Sequence, residues 1–157
     1  MANYIGKTRE FGIELMNYYI NNSDMGAREA LYVGLLSAIP AGVTEPYPAS
    51  SISAVEVSAG AYRVALPGAA DITVAKVDGL SAIRAINNVV IDFPVAPGPT
   101  TATFNISGYC LVRGSTGTNA DDYIGYELFV PTPSKQRLIR GGDTIRINAD
   151  GLSILEK

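Results

Sequence analysis

The chain has 157 residues and a formal net charge of −3, with charged residues at 17% and apolar residues at 47%. That length suits one domain with an ordinary core and no metal or disulfide staples. The acidic balance argues against nucleic acid, which needs clustered cations, and no apolar run approaches the ~18 residues of a membrane span.

Histidine is absent, so the commonest general base and metal ligand is missing. The single cysteine, Cys110, has no internal partner for a disulfide. No CxxC, HExxH, GxSxG or phosphate-loop pattern occurs. These absences predict a protein that is not an enzyme and holds no cofactor or metal. Residues 1–10 carry no apolar signal core, which predicts a soluble protein made in the cytosol. The charged fraction is well below the roughly 25% of an average globular chain. Such a surface is expected to be covered in part by protein partners.

Residues 7–22 (KTREFGIELMNYYINN) form the one good helix candidate. Phe11, Leu15, Tyr18, Tyr19 and Asn22 recur at helical spacing, and Ile13, Met16 and Ile20 make a second stripe beside them. Thr8 is placed to cap the start and residues 21–23 to end it. So wide an apolar sector leaves two readings: a helix laid on its own sheet, or a helix that docks in part on a neighbouring subunit. Residues 1–29 are therefore read as an arm and helix, and residues 30–157 as one β domain.

Strand patterns follow. In residues 30–37, Leu31, Val33 and Leu35 point one way and Tyr32 and Leu36 the other, so both faces should be covered, with the helix as the obvious cover. Residues 40–51 hold three prolines and read as a long loop. Gly60 reads as a turn or bulge before Tyr62, Val64 and Leu66, which alternate with Arg63 and Ala65. Residues 72–74 form a short strand and Asp78–Gly79 a turn. Val89, Ile91 and Phe93 alternate with Val90 and Asp92.

The longest alternation runs over residues 102–113, with Phe104, Ile106, Gly108, Cys110 and Val112 on one face. It makes Cys110 a small apolar core residue, and Gly108 a bulge or close backbone approach. Residues 114–122 read as a hairpin tip, returning through Ile124, Tyr126, Leu128 and Val130. Residues 141–143 set a turn before Ile145, Ile147 and Ala149 point inward, and Leu152 and Ile154 finish the core. Eight or nine short strands between turn signals predict a mainly β fold: an antiparallel, jelly-roll-like β-sandwich with one N-terminal α-helix.

Asn119, Asp121 and Asp122 lack the spacing of a calcium loop, since an EF-hand started at Asp121 puts Tyr126 where glycine is needed. Lys135, Arg137 and Arg140 form a basic group that reads as a solvated sheet edge or a patch for an acidic partner. Tyr4, Tyr18, Tyr19 and Tyr47, from nine tyrosines in all, fall in helix or loop, where exposure is expected; interface and sugar-stacking roles fit them equally.

Four segments in fixed order are ALYVGLLS (30–37), EVSAGAYRVAL (56–66), NNVVIDFPVA (87–96) and GGDTIRINADGLSIL (141–155). Together they resemble a family of small tailed-phage virion proteins, which open with a short helix, continue with an LYVGL-like strand and end in GDTIRI and G-LSI. Ala59 and Ala61 stand where the family pattern has glycine. Residues 97–100 stand where a Trp-Gly pair is usual. The resemblance implies a capsid decoration (cement) protein that binds the outer capsid surface and joins major capsid subunits, as a dimer or trimer on a virion made in the host cytoplasm. A tail, neck or fibre component is the alternative it allows. The contact residues implied are Phe11, Leu15, Tyr18 and Tyr19, with the arm that carries Tyr4 and Ile5, and Tyr47.

Overall fold

The computed structural model describes residues 5–22, 30–66, 72–76, 83–129, 137–149, 151 and 153–156. In chain order its elements are β1 (Ile5–Lys7), α1 (Arg9–Asn21), β2 (Leu31–Leu36), α2 (Ala49–Ser53), β3 (Arg63–Leu66), β4 (Ile72–Lys76), β5 (Ile83–Asn87) and β6 (Ile91–Asp92). Then come β7 (Thr103–Ile106), β8 (Gly108–Arg113), β9 (Tyr123–Leu128), β10 (Arg137–Arg140), β11 (Arg146–Ile147) and β12 (Ser153–Glu156). Among the described residues the fold is mainly β, with antiparallel sheets and two α-helices, one of them long.

The largest sheet has the order β1-β9-β8-β2-β3. Its centre is the β8–β9 hairpin and β2, in register with Gly34 opposite Cys110 and Cys110 opposite Tyr126. Three smaller sheets pair β7 with β10, β6 with β11, and β12 with β5 and β4.

β2 is covered on both faces, as its continuous apolar run predicts. Val33 and Leu35 join Val57, Tyr62, Leu66, Ile91, Phe93, Ile106, Leu111, Ile139 and Ile147 in one cluster. Leu36 joins Cys110, Val112, Tyr123, Tyr126 and Leu128 in another. The second face is not covered by α1, which has no buried residue. Its cover is Tyr47, Ala49 and Ile52, from the proline-rich segment and the short α2. α2 starts at Pro48, whose side chain makes no capping bond. The Glu10 carboxylate of α1 supplies one instead, accepting from the Ala49 N–H at 2.6 Å.

The single strand expected over residues 102–113 is two strands in different sheets. Ser107 is the crossing point: its N–H donates to the Leu36 carbonyl (2.7 Å) and its carbonyl accepts from the Phe129 N–H (2.9 Å). Alternation therefore changes phase there. Ile106 belongs to the first core cluster and Cys110 and Val112 to the second, although the sequence pattern puts all three on one face. Gly108 is a close approach, as expected: an added Cβ would run into the Glu127 carbonyl. Cys110 is buried and free.

Other expectations shift at element ends. Ile91, Phe93 and Ile147 are buried, but Val89, in the turn before β6, and Ala149 are exposed. β5 falls in a stretch to which the sequence pattern assigns no element. Asp78–Gly79, Val130 and Leu152 lie outside the described residues.

Candidate assembly surface on α1

α1 starts where the sequence says it should. Thr8 has extended backbone, and its Oγ accepts from the Phe11 N–H at 3.4 Å. Thr8 is itself fully buried, its N–H bonded to the Ile124 carbonyl at 2.8 Å and its hydroxyl donating to the Tyr123 carbonyl. The helix ends at Asn22, left-handed at φ 53, whose N–H returns to the Asn17 carbonyl. At 13 residues such a helix is marginal alone, so its order comes from the contacts of one face.

That face is the stripe of Phe11 and Leu15, both half-buried. Glu14 on the same side pairs with Arg113 of β8 at 2.8 Å, and the Arg113 guanidinium sits 5.4 Å from the Phe11 ring centroid. The other stripe faces outward. Ile13 is 56% exposed, Met16 59% and Ile20 69%, and beside them Tyr19, from the first stripe, is 79% exposed. Among the described residues, no other helix or strand presents so many exposed large apolar side chains in one run. Covering such a surface would remove apolar area from water.

The expected contact residues divide accordingly. Tyr18 and Tyr19 are exposed and meet edge to face, with centroids 5.0 Å apart. Phe11 and Leu15 face the body of their own chain, so that stripe follows the first reading, a helix laid on its own chain. Ile5 pairs with Glu127 through its backbone, its side chain lying outside the described residues along with Tyr4. Tyr47 is a correction. It is 5% exposed and packs edge to face on Tyr126 at 5.2 Å, because the proline-rich segment folds down as a lid on the sheet. Ile13, Met16 and Ile20 belong to the surface, and their helical spacing is the signal that finds them.

A second polar constellation was not legible in the sequence, where Arg63 alternates as an outward residue. In the fold its guanidinium is fully enclosed and bidentate to Glu56, with Nε to Oε1 at 2.7 Å and Nη2 to Oε2 at 2.8 Å. The same guanidinium donates to the carbonyls of Gly114 (3.2 Å) and Gly117 (2.6 Å), and the Tyr123 hydroxyl donates to Glu56. Burial alone would lower the pKa of Arg63, but the bond and charge of Glu56 raise it instead. Burial and then Glu56 push the Tyr123 phenol up, and the same two causes hold the Cys110 thiol well above its ordinary value. With both charged side chains sealed from solvent, the arrangement is a clamp. It ties the 3-10 turn at Val57–Gly60 and the tip of the β8–β9 hairpin to the sheet.

Arg137 and Arg140 are exposed on β10, which pairs with β7; Lys135 lies outside the described residues. The Asp122 N–H bonds to the Asn119 carbonyl at 3.1 Å in the short turn that leads into β9. No known protein-family profile matches the chain, and no curated protein is significantly similar to it.

Proposed function

We propose that this protein is a non-catalytic assembly component, a β domain whose purpose is to hold other proteins together. Within that class we read it as a tailed-phage capsid decoration protein, a jelly-roll-like sandwich bound to the outside of the shell and bridging major capsid subunits. The observation that carries this reading is the uncovered apolar face of α1, displayed on a helix whose other face is fastened to the domain. The four segments shared in pattern with small phage virion proteins support the choice of particle. The mechanism is linkage: a protein that binds only the assembled lattice shifts the equilibrium toward that lattice.

The test is decoration of undecorated shells by purified protein, read by co-sedimentation. Ile13→Asp with Ile20→Asp should abolish binding while leaving the melting temperature within a few degrees, since both residues are exposed. Full occupancy by that variant would remove α1 from the proposal.

A further inference from the structure

The exposed stripe of α1 has the spacing of a helix-pairing seam. Arg9, Ile13, Met16 and Ile20 are separated by four, three and four residues, the alternation that keeps one line of side chains facing a partner helix. We infer that the occupant of this face is a second copy of the same chain, with the two α1 helices antiparallel about a two-fold axis. The inference rests on reading α1 as an assembly face and names its partner.

The register follows from the sequence. An axis between Glu14 and Leu15 sets Ile13 against Met16 of the other copy and Arg9 against Ile20, so the contact is self-complementary, as a two-fold interface requires. Charge chooses antiparallel over parallel. Arg9 sits at the positive end of its own helix, and the last turn of α1 contains no basic residue to meet its carbonyls. Antiparallel pairing brings each Arg9 to the negative end of the other helix; parallel pairing would put two arginines together. Arg9 is exposed; its guanidinium donates to the Pro46 carbonyl at 3.4 Å and its backbone N–H to the Tyr47 carbonyl at 3.0 Å. Carboxylates do not interfere, because Glu10 is bonded to the Ala49 N–H and Glu14 to Arg113, off the seam.

Area sets the strength. A helix of 13 residues is about 20 Å long. One stripe of four large side chains buries less than the ~800 Å² per partner of a standard interface. The pair is therefore weak in free solution and gains its effect when copies are held close on a surface.

Cross-linking with a short thiol reagent tests the geometry, and Cys110, fully buried, stays out of it. Arg9→Cys and Ile20→Cys should cross-link when mixed and not when either is alone, since like positions lie about 16 Å apart along an antiparallel pair. Cross-linking of Arg9→Cys to itself would overturn the orientation. Sedimentation equilibrium of the unmodified chain should show concentration-dependent dimer, weakened at least about tenfold by Met16→Glu, which counts twice across the axis. A strict monomer with no cross-link in any mixture overturns the inference. If shells are still decorated through α1 in that case, the proposed function stands with the capsid as occupant of the face; if shells are not decorated at all, both fall.

Discussion

Arg113 and Glu14, far apart in the chain, meet at 2.8 Å and fasten α1 to β8. Both side chains are part exposed, at 21% and 30%. The pair alone is therefore worth no more than about 1 kcal/mol, with roughly another 0.5–1 from the stacking on Phe11. Arg113→Ala should lower global stability by about 1 kcal/mol and speed amide exchange within α1 more than in β2 or β8. Unchanged protection in α1 would mean that the helix is held some other way.

The Glu56–Arg63 pair behaves differently because both side chains are sealed. Removing one partner leaves a buried charge uncompensated, at a cost of about 3–5 kcal/mol. Glu56→Gln and Arg63→Met should each destabilise by that order, while Glu56→Met with Arg63→Met together should cost much less than their sum. The check is a double-mutant cycle by urea unfolding, and additivity would contradict the clamp.

Two glycines should respond with opposite sign. An added Cβ at Gly34 would meet the Cys110 Sγ at 2.9 Å and collide with the Glu56 carboxylate, so Gly34→Ala should destabilise by about 1–3 kcal/mol. At Gly12, inside α1, the nearest atom is the flexible Lys7 Cε at 3.4 Å. Gly12→Ala should stabilise by up to about 1 kcal/mol through helix propensity. Thermal melts of the two variants decide it, and a shared sign would be inconsistent with this packing.

Burial, aided by Glu127, pushes the Tyr109 phenol up to about 12, and burial above all pushes Tyr126 to about 12, from an ordinary 10.0. Tyr62 and Tyr123 are raised as well. A phenol with a raised folded pKa favours the folded state while neutral. That contribution is whole below pH 10 and is lost as pH rises toward 12. Absorbance titration at alkaline pH should show Tyr62, Tyr109, Tyr123 and Tyr126 ionising late, together with unfolding. Ionisation of these four near pH 10 in a folded protein would contradict their burial.

The sequence shows most clearly what depends on short-range pattern. The Thr8 cap, the two stripes of α1, the double-sided β2, the close approach at Gly108 and the buried Cys110 all follow from spacing and side-chain type. What it hides depends on distant partners. Ser107 breaks an unbroken alternation because Leu36 and Phe129, far away in sequence, take its backbone bonds. Tyr47 lies in a segment with loop composition and becomes core because Tyr126 and Ile52 receive it. Arg63 looks solvent-facing until Glu56 and Tyr123 fold over it. On α1, the periodicity shows two stripes, but only the position of Arg113 shows which of them is left free.

The proposed role makes this chain a shell component of a tailed phage, and the most direct measurement is its copy number in purified phage particles. Quantitative mass spectrometry against the major capsid protein should give near-stoichiometric amounts. A number far below stoichiometry would move the protein to the tail, neck or fibre, and complete absence from the particle would contradict the assignment.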